Sequence, residues 1–143
     1  MNKGATSYEW SHWDMVLGLG ANLLPCVPAS PDVVCVAKSQ LTGKVGKIPS
    51  AFNREGLAHG IKDWTKREIL GNEITQWAND GRYNVCVRTG PISGVYAIDV
   101  DVDDSAKAAE IEQLIEQTLG MKLPKRARSN SGKFLLMFRL GGL

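Results

Sequence analysis

Hydrophobic and polar positions divide this chain into short stretches of differing period. Trp10, Trp13, Val16 and Leu17 recur at helical spacing within residues 7–19, and Gly18 and Gly20 stop the pattern, so a short amphipathic helix is predicted there. Leu23 to Pro28 is an apolar run holding two prolines, which suits an edge strand, and Val33 to Val36 is a second strand candidate. Between Lys38 and Lys62, Gly, Lys, Ser and Asn surround Gly46-Lys47-Ile48-Pro49, the pattern of an extended loop. Thr65 is placed to cap a helix carrying Ile69, Leu70, Ile74, Trp77 and Ala78 near one face. Gly71-Asn72 threatens to split that helix, and Asn79-Asp80-Gly81 ends it.

In the second half, Tyr83 to Val87 reads as a strand, Thr89-Gly90-Pro91 as a turn, and Gly94 to Val102 as the strongest strand of the sequence. Asp103-Asp104-Ser105 offers N-cap chemistry to a helix over Ala106 to Leu119, with Ile111, Leu114, Ile115, Thr118 and Leu119 facing inward and Gly120 as its stop. Beyond Pro124, Phe134 to Phe138 is a continuous apolar strand. Strand, helix and strand in that order predict a βαβ-like unit within an α+β or α/β fold.

A length of 143 residues with 43% hydrophobic content predicts one compact domain over 1–143 with a single core. A net charge of +2 excludes a disordered acidic chain and a highly basic nucleic-acid coat. Local clustering is another matter: Lys122, Lys125, Arg126, Arg128, Lys133 and Arg139 follow one another with no acidic residue among them. Cys26, Cys35 and Cys86 fit neither a disulfide framework nor a zinc pattern and are expected as reduced thiols. The N-terminus has no apolar signal region, and no apolar run approaches the roughly 18 residues of a membrane span. A soluble cytoplasmic protein with no membrane partner is expected.

Candidate chemistry gathers on the strongest strand. In Val95 to Asp103, side chains alternate, so Tyr96, Ile98, Val100 and Val102 point one way and Asp99, Asp101 and Asp103 the other. Carboxylates so close would repel unless a cation or basic partner answered them. Hard divalent ions meet that need, because Mg²⁺ is commonly held by one or two carboxylates plus substrate phosphates. Asp99 and Asp101, which interrupt an otherwise apolar strand, are therefore the candidate metal ligands and catalytic pair, while Asp103 and Asp104 read as helix caps. Downstream, Arg126-Ala127-Arg128-Ser129-Asn130-Ser131-Gly132-Lys133 combines small residues with charge, so backbone N–H groups and Arg128 or Lys133 are candidates for holding a phosphate. The segment lacks the spacing of a P-loop. Arg88, before the turn, is a further phosphate candidate.

Taken together, the Trp-containing N-terminal helix, Gly46-Lys47-Ile48-Pro49, the helix near Trp77, Asn84-Val85-Cys86-Val87-Arg88-Thr89-Gly90 and Ser93-Gly94-Val95-Tyr96-Ala97-Ile98-Asp99-Val100-Asp101 resemble a known family. It is the N-terminal bifunctional primase-polymerase domain of the archaeo-eukaryotic primase superfamily, as found in phage and plasmid replication proteins. The resemblance covers about Trp10 to Arg139 and is strongest at the Asn-Val, Thr-Gly, Ser-Gly, Asp-x-Asp series. It implies a primase-polymerase fold with an RRM-like βαβ unit and mixed sheet, Mg²⁺ or Mn²⁺ on the acidic strand, and template-directed nucleotidyl transfer. The implied partners are a nucleoside triphosphate, a single-stranded DNA template and a helicase domain or subunit; a phage-encoded chain would work in the cytoplasm of a bacterial host.

Carried over by position, Asp99 and Asp101 match the first acidic motif, and Ser131-Gly132-Lys133 lies where the family has its nucleotide-binding motif. Leu135 stands where many members have a histidine, so nucleotide contact is expected from Lys133, Arg128 or Arg139. The family's third acidic motif has no counterpart, since no Asp or Glu follows Glu116. The expectation is therefore a domain truncated at its C-terminus, a fragment of a longer replication protein, or a non-catalytic nucleotide- or DNA-binding module. An aspartyl-phosphate phosphatase, with Asp99 as nucleophile and Asp101 as acid/base, is a third reading; too little chain follows Asp101 for the further parallel strands it needs.

Overall fold

The computed structural model describes residues 4–6, 9–13, 22–127 and 131–140. They form two compact units, the first running to Arg88 and the second starting at Thr89. Residues 9–13 are helical with Trp10 buried, as predicted; Val16, Leu17, Gly18 and Gly20 of the same expectation lie outside the described residues.

In the N-terminal unit, β1 (Leu23–Cys26) pairs antiparallel with β4 (Asn84–Val87), with Leu24 opposite Cys86 and Pro25 opposite Val85. A two-stranded ladder has only edge strands, which is why β1 tolerates Pro25. The expected loop from Lys38 to Lys62 is instead partly a hairpin of β2 (Ser50–Phe52) and β3 (Ala58–Gly60). Its turn is tied by Asn53, whose Oδ1 accepts the N–H groups of Glu55 and Leu57 at 3.0 and 2.9 Å. Val33 to Val36 does not form a strand. Cys35 makes one isolated parallel bridge to Ala58, whose other side is already paired in the hairpin, and Val34 is exposed.

Helix α1 (Gly71–Asp80) begins later than predicted. Thr65 is not its cap, because residues 62–66 make turns in which Asp63 O accepts the N–H groups of Lys66 and Arg67. Leu70 takes the extended cap conformation, and the Glu73 carboxylate accepts its N–H at 3.0 Å. Gly71-Asn72 thus opens the helix and does not divide it. Ile74 and Trp77 pack on the cluster of Leu24, Ile61 and Ile69.

The C-terminal unit holds β5 (Val95–Val100), α2 (Ser105–Leu119), β6 (Lys125–Ala127) and β7 (Phe134–Arg139), with sheet order β5-β7-β6. Both ladders are antiparallel, so β5 and β6 run parallel to each other with β7 between them. The helix connecting them makes this a split βαβ unit, and the fold is α+β. Asp104 Oδ1 caps α2, accepting the N–H groups of Ala106 and Lys107 at 3.0 and 3.1 Å. Gly81 and Gly120 end the two helices in the left-handed conformation.

The core of this unit is Val100, Ala108, Leu123, Phe134 and Leu136, joined by Ile98, Val102, Ile111, Ile115 and Phe138. Leu114, Thr118 and Leu119, expected inward, are exposed. The buried stripe of α2 runs through Ala108, Ile111 and Ile115, and a neighbouring position on a helix is turned by about 100°. Among the described residues no helix is long and apolar enough to cross a membrane.

Candidate nucleotide site on the split βαβ sheet

Strand alternation gives the three-stranded sheet a core face and an open face. Ile98, Val100, Phe134 and Leu136 lie on the first, packed in the α2 cluster. On the open face the registers Asp99 to Leu135 and Leu135 to Arg126 place one residue from each strand in a row, with Leu135 in the middle. β5 ends at Val100, so Asp101 and Asp103 lie in the connection to α2.

Lys133 enters this acidic end from the turn that leads into β7. Val100 pairs with Phe134, which brings the next residue outward on each strand, Asp101 and Lys133, side by side. Lys133 Nζ lies 2.8 Å from Asp101 Oδ1 and 3.4 Å from Asp103 Oδ1. These hydrogen bonds, first to Asp101 and then to Asp103, hold its ammonium pKa above the usual 10.5. The pairs are largely exposed and so are screened by solvent. Their effect is to answer the repulsion of two adjacent carboxylates with a basic partner. Asp104 alone caps α2, so the cap role expected for Asp103 is replaced by the pair with Lys133.

The turn before β7 is built around that lysine. Ser131 Oγ accepts the Lys133 N–H at 3.1 Å. Gly132 lies so close to the start of α2 that a Cβ there would sit 2.9 Å from Asp103 O and 3.1 Å from Ser105 Cα. Ser131 and Gly132 therefore shape the turn that delivers Lys133. Asp99, Asp101, Arg126, Ala127, Lys133, Phe134 and Leu135 line one cleft of about 340 Å³.

The sequence-predicted residues separate into those the fold brings together and those it does not. Asp99, Asp101 and Lys133 share the cleft. Arg139 pairs with Val95 at the far end of the ladder, four positions from Leu135 and thus about 13 Å along the strand. Arg128 lies outside the described residues. Arg88, expected to meet a phosphate, is instead buried in the N-terminal unit, where Nε and Nη2 donate to Asn22 Oδ1 and Nη1 donates to the carbonyls of Trp64 and Arg67. A guanidinium so engaged holds chain segments together. Arg126 was missed as a site residue, because its three-residue strand lies in a segment that reads as a basic turn. Alternation from Lys125 would have been the signal, had β6 been foreseen.

Among the described residues no three His, Cys, Asp or Glu side chains group around a point where a metal could sit. Two carboxylates on one cleft still fit a hard divalent ion that completes its shell with water and phosphate oxygens. A tetrahedral zinc site of nitrogen and sulfur ligands is not what these residues offer. Residues 14–142 match the family model described as bifunctional DNA primase/polymerase, N-terminal. Neither a curated protein nor a solved structure matches the chain.

Proposed function

The chain belongs to the N-terminal bifunctional DNA primase/polymerase family, and from that premise we propose that its β5-β7-β6 cleft binds a nucleoside triphosphate with Mg²⁺ or Mn²⁺ and transfers the nucleotide to a primer on a single-stranded DNA template. Phage or plasmid replication, in the cytoplasm of a bacterial host, is the setting this chemistry suits. The observation that carries the reading is the lining of one cleft by Asp99 and Asp101 together with Arg126 and Lys133. That set offers anionic ligands for a hard cation beside cations for a polyphosphate.

In the reaction, the primer 3′-hydroxyl oxygen forms a bond to the α-phosphorus, the bond to pyrophosphate breaks, and the hydroxyl proton passes to solvent. Asp99 and Asp101 would hold the divalent ion, which would supply positive charge to offset the negative charge that develops during the transfer. Lys133 balances the charge of Asp101 and Asp103 and orders the connection into α2. The apolar floor at Leu135 leaves the charged groups as the polar contacts of the cleft.

Calorimetric titration with a deoxynucleoside triphosphate, with and without Mn²⁺, tests the site in the wild-type chain and in Asp99→Asn/Asp101→Asn. The expected result is metal-dependent binding that the double substitution abolishes. Binding indifferent to metal and to the substitution overturns it. A second reading, a module that binds nucleotide without transferring it, is favoured by one observation: among the described residues two carboxylates line the cleft, and one is paired with Lys133. Primer extension separates the two, since a binding module takes up nucleotide and extends nothing. The aspartyl-phosphatase alternative requires parallel strands beside the nucleophile, and the neighbour of β5 is antiparallel.

A further inference from the structure

We propose that Arg126 is the residue that grips the triphosphate in this cleft, with Lys133 serving as the internal counter-ion of Asp101 and Asp103; this rests on the nucleotide-binding reading above. Each of the other described basic side chains on the sheet strands and the turn leading into β7 is engaged or placed elsewhere. Lys125 points to the helix side, where Nζ is 2.8 Å from Glu112 Oε2 and 5.3 Å from the centroid of the Phe134 ring. Lys133 is bridged to two carboxylates, and Arg139 stands at the opposite end of the ladder. Arg126 is exposed, lines the cleft, and is in none of the ion pairs found among the described residues.

Its placement follows from register alone. Arg126 and Asp99 flank Leu135 on the same face, two strand spacings apart, about 9 to 10 Å between their Cα atoms. Side chains reaching inward from both flanks leave room between them for a phosphate group, with the carboxylate side taking its metal and the guanidinium side its free oxygens. The planar fork of an arginine meets two phosphate oxygens at once, which an ammonium already shared between two carboxylates does not. Leu135 between them makes no competing ion pair. The ligand chemistry recognised is therefore the polyphosphate, whatever the sugar or base. Arg126→Gln should weaken ribo- and deoxynucleoside triphosphates alike.

The test is calorimetric titration of the full chain with Mn²⁺ alone, with inorganic tripolyphosphate plus Mn²⁺, and with dATP plus Mn²⁺. Variants are Arg126→Gln, Arg126→Lys, Lys133→Gln and Asp99→Asn/Asp101→Asn. Arg126→Gln is expected to raise the Kd for dATP and for tripolyphosphate by about 10- to 100-fold, the range of a charge-assisted bidentate contact, and to leave Mn²⁺ binding unchanged. Arg126→Lys should recover part of the loss, and Lys133→Gln should cost less than Arg126→Gln. Equal affinity in wild type and Arg126→Gln, or a larger loss in Lys133→Gln, overturns the assignment of Arg126 while leaving the Asp pair intact. Mn²⁺ and dATP binding that survives the double Asp substitution instead overturns the underlying site. Failure of the wild-type chain to bind dATP or tripolyphosphate overturns both.

Discussion

Arg88 illustrates how a single side chain changes meaning once its surroundings are known. Its guanidinium is buried and donates to Asn22 and to two main-chain carbonyls. Arg88→Ala removes those buried charge-assisted hydrogen bonds and should cost about 3 kcal/mol in urea unfolding. In conditions where the variant stays folded, its affinity for nucleotide should match wild type. Asp80 gives a pH-dependent case: the hydrogen bonds from Arg82 hold its carboxyl below the ordinary 3.8. A depressed carboxylate contributes stability above its unfolded pKa and loses it as pH falls through the lower folded value. The difference in urea midpoint between wild type and Asp80→Asn should therefore be level from pH 5 to 8 and shrink below about pH 4. Gly132→Ala places a methyl against Asp103 O and Ser105, where backbone must move, so a loss of about 1 to 3 kcal/mol is expected by the same measurement.

Elements differ in how far their residues announce them. β5, α2 and β7 are long, patterned and capped, and alternation alone placed Asp99 and Asp101 on one cleft. The inward face of α2 was misjudged because Ala108 is too small to dominate a hydrophobic pattern, yet it is the buried point of the stripe. Leu114→Gln should accordingly change stability by less than about 0.5 kcal/mol, while Ile115→Ala should cost about 2 kcal/mol. Thermal or urea unfolding of the two variants side by side checks this. The strands β2, β3 and β6 are three residues each, too short for a period to register. They exist because longer partners or a side-chain-tied turn hold them, and that information lies in distant parts of the chain. Arg126 was illegible for the same reason: its face is set by β7, not by its neighbours.

For the whole molecule, the match over residues 14–142 spans both compact units, while the residues of the candidate site all belong to the second. A ligand that binds only the folded state stabilises it by about 2.7 kcal/mol at a concentration one hundred times its Kd. Mn²⁺ with dATP should thus raise the melting temperature by roughly 8 °C, and the Asp99→Asn/Asp101→Asn chain should show no such rise. Differential scanning fluorimetry reads both.

The middle strand of the three-stranded sheet is the last of its strands to be synthesised. β5 and β6 leave the ribosome first, yet they lie two strand spacings apart and have no hydrogen bonds to exchange until β7 slides between them. Leu135 and Lys133, which floor the cleft and neutralise its acidic end, arrive with that strand. A nascent chain stalled before Phe134 would therefore carry both aspartates and the arginine without the scaffold that aligns them, and the ability to hold a polyphosphate would appear abruptly, at the moment the sheet closes.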